Sequence, residues 1–169
     1  MTVYGRSASF ALFALGAPAP QGSKRHVGRG VLIESSSKVR PWRETVKAAA
    51  PVVPRPLDGP LAARVVFTLP RPSSARKPET VPYRIPDLSK LLRGIEDAIT
   101  EAGLWADDAR VAEYVRLAKV WPACDAESLP VPGVIVACVE MTSPAALDEL
   151  AGAFTSAHDE AWRRVRGAA

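Results

Sequence analysis

The chain has 169 residues, 47% of them apolar and 24% charged, which is the composition of one soluble domain with a real core. A net charge of +4 and a pI of about 9.3 permit a nucleic-acid partner without requiring one. The only cysteines, Cys124 and Cys138, lack C-x-x-C spacing, which argues against a zinc or disulfide framework and suits a reducing cytosol. No apolar run approaches the roughly 20 residues of a membrane helix, and the N-terminus lacks a signal-peptide pattern. His26 and His158 are too far apart in sequence to read as a local metal pair.

In chain order, SFALFALG (8–15) has the apolar density of a buried strand. The Pro-, Gly- and Lys/Arg-rich stretch 17–30 reads as a loop, and VLIE (31–34) as a second strand. A helix is predicted over 41–50, with serine caps before it, Pro41 near its start and Pro51 as its stop. LAARVVFTLP (61–70) is a strand ended by Pro70. Residues 70–86 form a proline-rich, charged segment with no periodicity, and a loop of that length is usually functional or mobile. A helix follows over 87–102, with Gly103 as the favoured residue just past its end. ARVAEYVRLAKVW (109–121) reads as a strand with one wet face, and VIVACVEM (134–141) as a buried strand. The last segment is a helix with Ser143 as cap, Pro144 at its first position, and Arg163, Arg164 and Arg166 at the negative end of its dipole.

The segment PDLSKLLRGIEDAI (86–99), followed by LWADDAR (104–110), carries the functional signal. At about 100° per residue, Leu88, Leu91, Leu92, Ile95 and Ile99 form a core face. Lys90, Arg93 and Asp97 gather on the opposite side within roughly 60°. Each polar residue has a plain reading. Asp87 is an N-cap; Lys90, Arg93 and Asp97 are a solvated face with an Arg93–Asp97 pair; Asp107 and Asp108 are a polar turn. They also have a joint reading. The strand after the turn runs back along the helix, so Asp107 or Asp108 approaches either the Asp87 end or the Asp97 face. Grouped carboxylates stay ionised when a cation holds them, and oxygen-only ligands suit Mg²⁺ or Mn²⁺. With a guanidinium to hold phosphate, these are the parts of a metal-dependent phosphodiesterase.

Residues 84–121, RIPDLSKLLRGIEDAITEAGLWADDARVAEYVRLAKVW, resemble the signature of the RusA family of Holliday junction resolvases. The family pattern is a basic residue near Asp-x-Asp-Asn-Leu-x-Lys, then Asp-Ala-Leu, a Gly, and Asp-Asp-x-Gln-Val. PAPQGSKRH near the N-terminus is similar to the start of phage-borne members. By position, the resemblance implies catalytic, metal-binding roles for Asp87 and Asp108, with Asp107 as the acidic neighbour and Asp97 in support. Arg93 stands where the family has a catalytic lysine, Lys90 where it has Asn, and Arg110 where it has Gln. Ser89 replaces the second metal-ligand aspartate with a weaker neutral ligand for a hard cation, so the implied metal positions are Asp87, Asp108, Asp107 and Ser89, and Asp97 and Asp107 are the carboxylates available to make up the lost charge.

The resemblance further implies an α+β fold, a mixed sheet packed against helices. A RusA-like domain would span 1–143, with a C-terminal helical extension over 144–169. It implies a homodimer that cleaves four-way DNA junctions using Mg²⁺ or Mn²⁺, in the cytoplasm of a bacterium or a phage-infected host. A two-fold dimer suits a junction with two equivalent strands. Lys24, Arg25, Arg71, Arg76, Lys77 and Arg84 are the candidates for gripping phosphates without reading sequence. The alternative is a branched-DNA-binding protein weakened in catalysis by Ser89. Trp42, Trp105, Trp121 and Trp162 read as core or interface residues; Trp105, just before the aspartates, either wedges at a junction or closes the helix–strand corner.

Overall fold

The run GVIVACVE is buried at every position, as expected of a central strand covered on both faces. It is β6, Gly133–Glu140, of a four-stranded sheet. The computed structural model describes residues 8–22, 25–26, 32–33, 37–76 and 78–168. The sheet order is β1–β6–β4–β5, with β1 at Ser9–Leu15, β4 at Leu61–Thr68 and β5 at Val111–Val120. β6 runs antiparallel to both β1 and β4, while β4 and β5 are parallel. That parallel pair needs a crossover, and helix α2, Leu88–Glu101, supplies it. The two-residue strands β2, Arg25–His26, and β3, Leu32–Ile33, pair as a separate ribbon. The first of them falls inside the stretch read as a loop. Residues 31 and 34 of the VLIE strand lie outside the described residues.

Alternation along the strands sorts the core into two layers. Phe10 and Leu12 of β1, Val65 and Phe67 of β4, and Val136 and Cys138 of β6 face helices α1 (Val39–Ala48) and α2. Ala62 and Val66 with Ile135, Ala137 and Val139 face helix α3, Ala146–Gly167. The architecture is therefore α+β, a mixed sheet between two helices on one face and one on the other. α3 buries Leu150, Phe154 and Ala161 against the sheet, so the C-terminal helix is a full layer of the core.

Two helix starts differ from the sequence reading. α1 begins at Val39 with Lys38 as its N-cap and no side-chain capping bond, so serine caps do not start it. α3 begins at Ala146 with Ala145 as N-cap, two residues later than the Ser143–Pro144 signal places it. Pro144 and Ala145 form a turn, and Ala146 N–H donates to the Ser143 carbonyl.

The end of β6 anchors the loop that supports the far end of α2. Glu140 is buried, its carboxylate accepts two bonds from Arg55 (2.8 and 2.9 Å), and it accepts a third from Asp58 N–H (2.9 Å). Leu57, next to Asp58, pairs with Leu104 and Ala106 just beyond α2. The Arg55 guanidinium holds the Glu140 carboxyl below its usual range, and the backbone donors add to the effect. A depressed carboxylate stabilises the fold above its unfolded pKa of roughly 4.3, and the contribution is lost as pH falls through the lower native value. Glu140→Gln should lower the melting temperature at pH 7 and lower it much less at pH 3, as read by circular dichroism. An equal gap at both pH values would show that the charge of Glu140 stabilises nothing.

Candidate active site

Asp87 opens α2 in an extended conformation (φ −66°, ψ 134°), the backbone of an N-cap residue. Its carboxylate makes no capping bond; it faces Lys90 Nζ at 3.1 Å, with both side chains about half exposed. An acid at an N-cap that leaves the helix N–H groups alone is free for other chemistry. The chain before it is pinned from β5. Lys119 Nζ donates to the Arg84 carbonyl and to the Pro86 carbonyl, the latter at 2.8 Å.

The other end of α2 closes as the sequence predicts. Gly103 adopts φ +70°, and Leu104 and Gly103 N–H groups return to the Ile99 and Thr100 carbonyls. Trp105 is buried, packs edge-on to Phe10, and donates to Thr100 Oγ1 at 2.7 Å. It closes the helix–strand corner. A 3-10 turn, Asp108–Arg110, follows. Asp107 caps it by accepting from Ala109 N–H at 2.8 Å, and Arg110 pairs with Asp58 at 2.9 Å. Asp108 is exposed.

The polar face of α2 divides into two stripes. Asp97 and Glu101 turn to α1, where Arg43 pairs with both and Lys47 with Glu101. Asp97 thus pairs across helices (3.4 Å to Arg43), and the anticipated pair with Arg93 is replaced. Ser89, Arg93 and Glu96 form the second stripe, at i, i+4 and i+7. Ser89 and Arg93 are exposed; Glu96 is partly buried and accepts from the Tyr114 hydroxyl of β5 at 2.7 Å. Burial pushes the Glu96 carboxyl above its usual range. The Tyr114 hydrogen bond opposes the shift, Asp108 and Asp97 add to it, and Arg93 opposes it. Burial, then Glu96, raises the Tyr114 hydroxyl pKa, so it remains a donor. Sequence reasoning missed Glu96, although its i+3 spacing from Arg93 marks the stripe.

These contacts fix how β5 lies along α2. β5 runs back along α2, with Tyr114 at Glu96 and Lys119 at the Asp87 end. Asp108 precedes Tyr114 and acts electrostatically on Glu96. Glu96 is nine residues from Asp87, roughly 13 Å along the axis. Two oxygens that share one hard cation lie within about 5 Å of each other. Within one chain, Asp108 therefore acts on the Glu96 part of α2, and Asp87 stands at the start of the helix, roughly 13 Å along the axis from Glu96. Among the described residues, no group of three or more His, Cys, Asp or Glu is placed to hold a metal ion. The donor chemistry nonetheless fits a Mg²⁺-like ion, which takes one or two carboxylates, several waters and substrate phosphate oxygens.

The candidate phosphate contacts are distributed unevenly. Lys24 and Lys77 lie outside the described residues, and Arg25 is described only as backbone in β2. Arg71 is committed to its own loop: it lies over the Trp121 ring at 4.8 Å and donates to the Arg76 and Glu79 carbonyls. Arg76 and Arg84 are exposed, as are Lys38, Arg40 and Arg93. No helix among the described residues is long and apolar enough to cross a membrane.

Direct comparison with curated proteins returns no match. The family model for the endodeoxyribonuclease RusA matches residues 16–126, a span that includes both ends of α2, the Asp107–Asp108 turn and the whole of β5. With that match over more than half of its length, the chain belongs to the RusA family of endodeoxyribonucleases.

Proposed function

We propose that this chain is a divalent-metal-dependent nuclease that resolves four-way DNA junctions by paired cuts, acting as a homodimer in the cytoplasm of a bacterium or phage-infected host. One observation carries the dimeric reading. Asp87 and Asp108, the two aspartates at the family's catalytic positions, flank α2, one at its N-cap and the other in the turn after its end, and both are exposed with no side-chain capping bond. A two-fold axis that sets α2 against its copy brings Asp87 of one subunit to Asp108 of the other and generates two equivalent sites. That number matches the two strands a resolvase must cut.

Asp87, Asp108 and the half-buried Glu96 would hold Mg²⁺ or Mn²⁺, with Ser89 in the first turn of α2 beside them. When bound, the ion lowers the pKa of water and offsets negative charge on the phosphate. The chain's own residues do the rest. Arg93, one turn from Ser89, holds phosphate oxygens by two hydrogen bonds and cannot give up its proton, so its role is electrostatic. The Tyr114 hydroxyl orients Glu96. Lys90 beside Asp87 adds positive charge at the helix start. The exposed Arg76, Arg84 and Arg40, together with Lys24, Arg25 and Lys77, supply salt-sensitive backbone contacts.

The test is cleavage of a labelled four-way junction against its matched linear duplex, with Mg²⁺, with Mn²⁺ and with chelator. Paired, metal-dependent nicks confined to the junction are expected. Binding without nicks in either metal would reject the nuclease reading and leave a branched-DNA-binding protein.

A further inference from the structure

Loop 70–86 builds a groove of about 250 Å³ whose lining includes Leu69, Pro70, Pro72, Tyr83, Ile85 and Trp121. A second groove shares Pro70, Ile85 and Pro86 with it and continues to Asp87 and Lys90. One trough therefore runs from Trp121 to the start of α2. Its apolar wall is wet: Tyr83 is 65% and Ile85 88% exposed. Such exposure is unusual for large side chains on a loop this well tied down. Arg71 clamps the loop through two carbonyls and the Trp121 ring. Glu79 accepts from the Tyr83 hydroxyl at 3.3 Å and so orients the ring.

Charge identifies the occupant. The exposed Arg84 guanidinium lies over the Tyr83 ring at 5.3 Å and 3.8 Å from Glu79, and Lys38 and Lys90, the latter paired with Asp87, line the far end of the trough, so the rim carries three cations against two carboxylates. An apolar, aromatic slot with a cationic rim is complementary to a flat base attached to a phosphodiester backbone: the base stacks inside and the phosphates meet the rim. We propose that this groove receives a single unstacked nucleobase from the branch point of the DNA, placing the adjoining phosphate along the trough toward Asp87. The assignment rests on the reading of the chain as a junction nuclease. Nucleotides at a branch point are already poorly stacked, so their extrusion is the least costly.

The experiment is fluorescence anisotropy of a labelled four-way junction in chelator, with an abasic residue placed at each branch-point nucleotide in turn. Wild type should lose roughly tenfold in affinity at one position, the range expected for base–aromatic stacking. In Tyr83→Leu that loss should shrink to about twofold or less, while the intact junction still binds through its backbone. Ala75→Trp, which fills the same groove, should give the same result. No sensitive position, or an equal loss in both variants, overturns the groove assignment and leaves the nuclease reading in place. A Tyr83→Leu protein that changes its oligomeric size in solution assigns the groove to a second copy of the chain and overturns it too. The nuclease reading is tested separately on the same wild-type preparation, and absence of nicks in Mg²⁺ and in Mn²⁺ removes it whatever the anisotropy shows.

Discussion

Asp87→Asn and Asp108→Asn are each expected to reduce junction cleavage by at least about a hundredfold, and a heterodimer of the two is expected to regain it. The recovery follows from geometry. If each site takes Asp87 from one subunit and Asp108 from the other, the mixed dimer concentrates both substitutions in one site. The second site keeps both native aspartates. Differently tagged subunits, refolded together and purified through both tags, should therefore make single nicks where wild type makes paired ones. If both aspartates of a site came from the same subunit, every site in the mixed dimer would carry one substitution, and the mixture would be as inactive as its parents. Loss of folding does not confuse the result, because the Asp87 side chain makes no capping bond and Asp108 is exposed. Binding of uncut junction by both parents checks this.

Phe154→Ala, on the opposite side of the sheet from Asp87, is expected to cost roughly 3–5 kcal/mol, the range for removing a buried aromatic ring. For a chain of this size that lowers the melting temperature by roughly 6–20 °C. Phe154 is 3% exposed in the layer where α3 covers Ala62, Val66 and Ile135, and the Arg64 guanidinium lies over its ring at 4.9 Å. Arg64 is held in turn by Glu127. The measurement is thermal unfolding by calorimetry, with junction nicking at 20 °C on the folded variant. A large loss of stability with nicking retained would make α3 a structural layer of the same domain. A loss below about 1 kcal/mol would make it an appendage to a core that stands alone.

The four strands of the main sheet, their order with the helices and the core face of α2 were legible in the sequence because they depend on local pattern, whereas the short β2 was read as loop. The apolar density of SFALFALG marked β1, and Leu91, Ile95 and Ile99 recur at helical spacing. Gly103 marked the end of α2 because its positive φ is a backbone requirement that few other residues meet. The starts of α1 and α3 were less legible, since the residues found at their N-caps, Lys38 and Ala145, offer no capping side chain and packing sets the boundary.

The candidate site divides in the same way. The motif from Asp87 to Asp108 marked the right segment, since its spacing is linear information and the family match spans it. The partners of those residues are not local. Asp97 turned to Arg43 because α1 and α2 pack together, and Glu96 gained its place because β5 brings Tyr114 back against the helix. The sequence by itself determined which residues carry acid and base along α2. Tertiary structure alone decided which of them meet: residues nine apart on a helix stay roughly 13 Å apart along its axis, and only the elements packed against it, α1 and β5, bring Arg43 to Asp97 and Tyr114 to Glu96.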